Sequence, residues 1–247
     1  MNDIKNIIFD LGGVILNLDY SNTIKEFSKL GVFNFEKLYS QKKQAKIFND
    51  FEKGKISAEK FIFSIRQLVK VNIKEIDFIN AWNAMLLEIP SVRLEFIQKL
   101  KKNFKIFLLS NTNEIHIKKF EEDLSNTNEL KDFQNCFDQI YYSSEIGMRK
   151  PDAECFLKVI QDHHLNAHET LFIDDTIQHV KGARKVGINA ILLKKRSDNY
   201  STSSWHNSIR TPLVVLGWRK QINFWSAPFL TSPMVSKPKV FNLPSSL

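Results

Sequence analysis

Five short apolar runs constrain the fold of this chain more than any other feature. Each spans three to five residues between more polar segments, which is typical of strands buried on both faces of a parallel sheet. The runs are residues 7–9, 105–109, 139–142, 170–173 and 190–193. Segments with helical spacing separate the last four runs. Strands that alternate with helices predict a doubly wound α/β fold around a parallel five-stranded sheet.

The gap between the first two runs is far too long for a single crossover connection. Within it, Phe61, Ile65 and Leu68 recur at helical spacing after Ser57, which is a favourable residue to begin a helix. We therefore predict a helical domain, residues 17–95, inserted after the first strand. Residues 1–16 and 96–195 are predicted to form the domain that contains the sheet.

Residues 196–247 differ in character from the rest of the chain. They contain five of the seven prolines and three of the four tryptophans, and they carry +5 of the net charge of +8. Because the preceding residues are close to neutral, no nucleic-acid-binding surface is expected there. We interpret the segment as an atypical, non-catalytic tail that can be removed without loss of activity. The alternatives are that it packs on the core or lies on a membrane surface.

The two cysteines, Cys136 and Cys155, have no spacing typical of a metal or redox site. We interpret them as reduced thiols of a cytoplasmic protein. The apolar run near the N-terminus is too short for a signal peptide or a membrane span. Membrane attachment is therefore not expected, and nothing in the sequence specifies an oligomeric state.

Polar residues follow four of the predicted strands. In chain order they are Asp10, then Ser110 and Asn111, then Lys150, then Asp174 and Asp175. Because ligands bind beyond the carboxyl ends of parallel strands, these residues are expected to converge on one edge of the sheet. Three crowded carboxylates favour a hard cation such as Mg²⁺, and a lysine and a hydroxyl beside them favour a phosphate.

The motifs Asp-Leu-Gly-Gly-Val, Ser-Asn-Thr, Lys-Pro-Asp and Asp-Asp-Thr, in this order, resemble the four motifs of the haloacid dehalogenase (HAD) superfamily. The resemblance covers about residues 4–195. It implies strand order 5-4-1-2-3, a helical cap over the site, and hydrolysis of a small phosphate ester through an aspartyl-phosphate on Asp10.

The resemblance also assigns the other site residues. Mg²⁺ would be held by Asp10, the backbone carbonyl of Gly12 and Asp175, with Asp174 binding directly or through water. The phosphoryl group would contact Ser110 and Lys150, with Asn111 helping to position it.

One position departs from most phosphatases of the superfamily, which carry a second aspartate where this chain has Gly12. The Asp-Leu-Gly-Gly-Val form resembles a subfamily that includes phosphatases of α-glucose 1-phosphate, whose leaving group needs less protonation. Three alternatives stay open: a haloacid dehalogenase, a phosphomutase and a catalytically silent binding protein. His179 stands where the superfamily often has asparagine, and we interpret it as orienting a carboxylate.

Other residues of the insertion are weaker candidates. Asp19, Tyr20 and Glu52 are candidate substrate contacts. Four aromatic residues of the insertion, Phe61, Phe63, Phe78 and Trp82, are interpreted as its core. His116 is interpreted as a surface or helix residue.

Overall fold

A computed structural model describes residues 4–33, 35–38 and 46–193, together with Trp205 and Ile209. The strands are β1 (Asn6–Phe9), β2 (Lys105–Ser110), β3 (Gln139–Tyr142), β4 (Thr170–Asp174) and β5 (Asn189–Leu192). The helices before β2 are α1 (Tyr20–Lys29), α2 (Phe35–Leu38), α3 (Lys46–Glu52), α4 (Ala58–Val69), α5 (Glu75–Asn83) and α6 (Ser91–Lys101). The later helices are α7 (Glu114–Asn126), α8 (Leu130–Asn135), α9 (Ser143–Ile146), α10 (Ala153–Asp162) and α11 (Ile177–Lys185).

The five strands form one parallel sheet in the order β3-β2-β1-β4-β5. This confirms both the predicted fold class and the predicted strand order, and each predicted run lies on a strand to within about one residue at either end. Because β1 is central, the residues that follow it lie beside those that follow β2 and β4.

The sheet is covered on both faces, as predicted. Alternate residues of β1 enter different hydrophobic clusters: Ile7 and Phe9 join one, and Ile8 joins the other. The two cysteines are unpaired and buried in these clusters, with Cys136 on the first face and Cys155 on the second. This placement agrees with the interpretation of two reduced thiols.

The helices inserted between β1 and α6 bury a separate hydrophobic cluster, to which α7 contributes Ile115. Stacked and edge-to-face aromatic pairs fill it, such as Phe61 with Phe51 and with Phe78. Phe61, Phe78 and Trp82 lie in this cluster as predicted, but the prediction for Phe63 is wrong, since this residue is 61% exposed. As predicted, Ser57 begins α4, and its hydroxyl accepts a hydrogen bond from the backbone N–H of Lys60 at 3.3 Å. The division into a sheet domain and a cap stays a prediction; its boundary at residue 95 falls inside α6, which packs against the sheet.

Most of the predicted tail, residues 196–247, lies outside the described residues. Trp205 and Ile209 are described, and both are buried in the hydrophobic cluster on one face of the sheet. Their burial favours the alternative in which the segment packs on the core. No helix in the described parts of the chain is both long and apolar enough to cross a membrane.

Candidate active site

Asp10 lies immediately beyond β1, where the chain leaves the sheet in a tight loop. Its backbone N–H donates to the carbonyl of Ile173 at 2.9 Å, and its carboxylate accepts from the N–H of Leu11 at 2.7 Å. In the loop that follows, the carbonyl of Leu11 accepts hydrogen bonds from Ile15 and Leu16 at 2.8 and 2.9 Å. Asp10 is thus held at a fixed position at the carboxyl edge of the sheet.

Lys150 is fully buried between two of the predicted carboxylates. Its Nζ lies 2.8 Å from a carboxylate oxygen of Asp10 and 2.8 Å from one of Asp174. The ammonium also lies 5.2 Å from the ring centroid of Phe172, within the range of a cation–π contact. In this arrangement the lysine neutralises carboxylates behind the site and does not line the cavity described below.

Asn111 fixes the backbone of that lysine. Its side-chain Nδ2 donates to the carbonyl of Lys150 at 2.9 Å, and its Oδ1 accepts from the N–H of Lys150 at 2.9 Å. The amide of Asn111 therefore acts first on Lys150, and its predicted contact with a phosphoryl group stays a prediction. Ser110 ends β2 and lines the same cavity.

The two aspartates after β4 have different environments. Asp174 is fully buried and accepts hydrogen bonds from Lys150, from the N–H of Thr176 at 2.7 Å and, with one oxygen at 3.0 Å, from Nδ1 of His179. Asp175 instead lines the cavity beside Gly13. The interaction of His179 with Asp174 matches the interpretation of this histidine as a residue that orients a carboxylate.

The electrostatics of the cluster show an excess of negative charge. Burial and the neighbouring Asp174 raise the pKa of Asp10 well above its ordinary value, because Lys150 offsets these effects only in part. Burial alone would raise the pKa of Asp174, but Lys150 and His179 hold it well below its ordinary value. Three carboxylates beside one lysine leave a net negative charge, which a further cation would balance.

The donor set suits a hard divalent cation. Carboxylate oxygens of Asp10 and Asp174 and a ring nitrogen of His179 lie within 4.8 Å of one another. Asp10, Gly12 and Asp175 line the cavity, whereas Asp174 is fully buried behind it, so the carboxylates of Asp10 and Asp175 and the backbone carbonyl of Gly12 are the better direct ligands. Oxygen ligands of this kind are those that Mg²⁺ prefers.

A cavity of about 120 Å³ lies between the carboxyl edge of the sheet and the inserted helices. Asp10, Gly12, Ser110 and Asp175 line its floor, and residues of the insertion line the opposite wall. Those of the insertion are Leu18, Tyr20, Glu52, Trp82, Met85 and Leu86. Two of the three predicted contacts from this region, Tyr20 and Glu52, therefore reach the cavity. The third, Asp19, caps α1 by accepting from the N–H of Ser21 at 2.9 Å.

The structure gives a steric reason for the glycine at position 12. A Cβ atom on Gly12 would lie 2.7 Å from Cδ1 of Leu18, so a side chain at position 12 would have to displace the end of the Leu18 side chain. Leu18 also lines the cavity and gives it an apolar surface beside Gly12.

Several residues of the cavity were not assigned to it from the sequence. Arg149 lines it and donates through Nε and Nη2 to Oε2 of Glu52, each at 2.8 Å. In the sequence, the position of Arg149 directly before Lys150 is the feature that could have assigned it to the site. His116 lies on α7, in agreement with its interpretation as a surface or helix residue, but it is buried at the cavity and stacks on Trp82 with 5.1 Å between ring centroids.

Comparison with known proteins agrees with this geometry. A family model described as haloacid dehalogenase-like hydrolase matches residues 4–187. D-ribitol-5-phosphate phosphatase of Bacteroides thetaiotaomicron is 30% identical over 195 residues, which are 79% of this chain and 94% of that protein.

Two solved structures show the same fold. A HAD family enzyme from Bacteroides thetaiotaomicron, in complex with magnesium and inorganic phosphate, is 34% identical, with a TM-score of 0.71 over 81% of this chain and 98% of that one. A HAD-like family hydrolase from Porphyromonas gingivalis is 28% identical, with a TM-score of 0.73 over 86% and 98%. Since the matching family model spans well over half of the sequence, this chain belongs to the haloacid dehalogenase-like hydrolases.

Proposed function

We propose that the protein is a Mg²⁺-dependent phosphatase that hydrolyses small phosphorylated metabolites through an aspartyl-phosphate on Asp10. The observation that carries this proposal is the cluster at the carboxyl edge of the sheet. Asp10 forms part of the cavity floor, with Lys150 2.8 Å behind it and two further carboxylates beside it. The relative crystallised with magnesium and inorganic phosphate supports the same chemistry.

The residues present fit Mg²⁺. Asp10, Asp175 and the carbonyl of Gly12 would hold it, with Asp174 joining directly or through water. When bound, the ion supplies positive charge that lowers the pKa of Asp10 and balances the charge of a phosphate ester.

The chain's own groups then account for two displacement steps. A carboxylate oxygen of Asp10 attacks phosphorus, the ester P–O bond breaks, and the alcohol departs with a proton from solvent. Ser110, which lines the cavity, stabilises the charge on the phosphoryl oxygens, and Lys150 adds positive charge from its position 2.8 Å behind Asp10. Water then attacks phosphorus of the aspartyl-phosphate, which releases inorganic phosphate and restores Asp10.

The insertion is proposed to act as a cap that excludes bulk water during the first step. Its side chains form the wall opposite Asp10, so the leaving group of the substrate would contact them. We also propose that the protein works in the cytoplasm, which its two unpaired cysteines support.

Phosphorylated sugars and sugar alcohols are the proposed substrate class. Tyr20, Glu52 and Arg149 place hydroxyl, carboxylate and guanidinium groups on the cavity wall, where they can bind substrate hydroxyls. The relative that acts on D-ribitol 5-phosphate supports this class. The sequence instead suggested α-glucose 1-phosphate, and both compounds belong in the first assay.

The test is phosphate release from a panel of sugar and sugar-alcohol phosphates, measured with Mg²⁺ and with a chelator. We expect turnover that requires Mg²⁺ and that falls at least a hundredfold in Asp10→Asn, a loss of about 2.7 kcal/mol in transition-state stabilisation. Asp19→Asn is the matched control, because Asp19 caps a helix outside the cavity and asparagine caps equally well.

Other outcomes would contradict the proposal. Halide release from a haloacid without metal would favour the dehalogenase alternative. Transfer of the phosphate to a second position of the same sugar would favour a phosphomutase. Mg²⁺ binding without turnover of any phosphate ester would favour a silent binding protein.

A further inference from the structure

Trp205 lies beyond the last strand of the sheet, yet it contacts the loop that carries Asp10. Its indole Nε1 donates a hydrogen bond to the backbone carbonyl of Val14 at 2.7 Å. The side chain is 2% exposed, so this hydrogen bond is shielded from water. A donor from outside the sheet therefore acts on the catalytic loop, residues 10–16.

The indole is held in place by two residues of α6. The ring of Phe96 packs edge-to-face against it at 5.3 Å between centroids, and the guanidinium of Arg93 lies 5.4 Å from its centroid. Cation–π and aromatic contacts of this kind fix the plane of an indole. The direction of its N–H is therefore set by the packing.

Arg93 acts on the same part of the loop. Its Nη1 donates to the carbonyl of Ile15 at 2.8 Å and, at 3.3 Å, to that of Val14. Like Trp205, Arg93 is 2% exposed. Two buried side chains from separate parts of the sequence thus bind adjacent carbonyls of one loop.

The loop transmits this constraint to the site. The backbone N–H of Gly13 donates to the carbonyl of Leu16 at 2.8 Å, and Gly12 and Leu16 form a short parallel bridge. The carbonyl of Val14 and the N–H of Ile15 belong to one peptide, and that N–H donates to the carbonyl of Leu11 at 2.8 Å. A shift of the Val14 carbonyl would therefore also move Leu11 and, next to it, the peptide of Gly12. That peptide's carbonyl is one of the proposed metal ligands, next to the carboxylate of Asp10.

We propose that Trp205 is a positioning residue of the active site, which holds the catalytic loop so that Asp10 and Gly12 bind the metal ion together. The proposal rests on the proposed function, because it concerns that metal site. It makes the segment around Trp205 part of the working enzyme, although no group of this residue touches the substrate. This proposal differs from the prediction made from the sequence, in which the tail can be removed without loss of activity.

The chain supplies a matched control in Ile209. This residue is fully buried in the same hydrophobic cluster, and its aliphatic side chain has no hydrogen-bond donor to offer the loop. Loss of packing at residue 209 should therefore destabilise the protein without acting on the carbonyl of Val14. The comparison separates a general loss of stability from a specific effect on the loop.

The test is calorimetric titration of the full chain with Mg²⁺, together with thermal unfolding, for wild type, Trp205→Phe and Ile209→Ala. Phenylalanine keeps a ring for Phe96 and Arg93 but removes the N–H. We expect Trp205→Phe to bind Mg²⁺ about threefold to tenfold more weakly, as the loss of one hydrogen bond predicts. Ile209→Ala should lower the unfolding temperature at least as much as Trp205→Phe does, but its Mg²⁺ affinity should stay within about twofold of the wild-type affinity.

The possible results are distinguishable. Unchanged Mg²⁺ affinity in Trp205→Phe, with wild type binding normally, would overturn the role of Trp205 alone. Equal weakening in both variants would show a general effect of stability and would also overturn it. Wild-type protein that binds no Mg²⁺ would instead overturn the proposed metal site.

Discussion

At the scale of single residues, Gly13 shows how closely the catalytic loop approaches the metal site. Its φ is +75°, and a Cβ atom added there would lie 2.2 Å from a carboxylate oxygen of Asp175. A side chain would therefore strain the backbone and displace a proposed metal ligand at the same time. Gly147 has nearly the same φ, +72°, but no atom within 4 Å of the corresponding Cβ position.

This pair of glycines gives a matched test. We expect Gly147→Ala to lower the free energy of unfolding by about 1 kcal/mol, because it places alanine at positive φ. Gly13→Ala should lower it at least as much, because the new Cβ atom also meets the carboxylate of Asp175. Only Gly13→Ala should also weaken Mg²⁺ binding and reduce turnover by more than about tenfold. Urea unfolding and a Mg²⁺ titration measure the two effects, and a similar loss of activity in both variants would contradict this explanation.

His116 links burial to the pH dependence of stability. Burial lowers its pKa from an ordinary value of 6.5 to about 4. The unfolded chain therefore takes up a proton below pH 6.5 that the folded protein does not, and stability is lost as the pH falls from 6.5 towards 4.

We expect this residue to account for a loss of up to about 3 kcal/mol in the free energy of unfolding between pH 7 and pH 4. The measurement is urea unfolding across that range for wild type and His116→Gln, which cannot titrate. The difference in the free energy of unfolding between the two proteins should shrink as the pH falls, because only wild type loses the contribution of His116. Other titrating groups are the same in both proteins and cancel in the difference. A constant difference across the range would show that His116 titrates normally.

At the scale of elements, the end of α3 contacts the segment that leads into α10. Glu52 binds Arg149 with both oxygen-to-nitrogen distances at 2.8 Å, and the next residue, Lys53, binds Asp152 at 2.8 Å. These two ion pairs flank Lys150 in the sequence. The position of the insertion is thus coupled to the segment that carries the buried lysine.

We expect Arg149→Met and Glu52→Gln each to lower kcat/KM about tenfold, or about 1.4 kcal/mol, because the insertion loses an anchor beside the cavity. In the double variant the loss of transition-state stabilisation should be much smaller than the sum of the losses in the two single variants, since the same interaction is removed in all three proteins. Lys29→Met is the control, because the pair Lys29–Glu26 is exposed and remote from the cavity. Additive losses would show that the two residues act independently.

At the scale of the whole molecule, the hydrophobic core extends beyond the last strand. Trp205 and Ile209 complete the cluster that α6 and the catalytic loop form on one face of the sheet. Since a core loses stability when large side chains are removed, the segment that carries them contributes to folding.

We therefore expect a chain ended after Lys195 to lose at least about 4 kcal/mol of unfolding free energy, the scale of removing one large aromatic and one aliphatic side chain from a core. Urea unfolding of this chain, of one ended after Arg210 and of the full chain gives the measurement. The chain ended after Arg210 keeps both side chains and is the control. Equal stability of the two shortened chains would restore the view of the segment as dispensable.

The sheet and its site were predictable because their signals are local. Buried parallel strands appear in the sequence as apolar runs. The polar residues at or directly after the end of each strand, such as Asp10 and Asp174, indicate the chemistry of that strand end. The order of the four motifs then placed these groups on one edge, and the structure confirms that Asp10 and Lys150 meet there.

The remaining features depend on segments that are far apart in the sequence. No local pattern relates Glu52 to Arg149 or Trp205 to Val14, because each pair forms only when separate elements pack together. The same holds for the burial of Lys150, whose charge is tolerable only between two carboxylates from different strands. The sequence by itself determined the sheet, the motif order and the class of chemistry, since these follow from neighbouring residues. The tertiary structure decided which side chains wall the cavity and which hold the catalytic loop, since those contacts arise from packing across the whole chain.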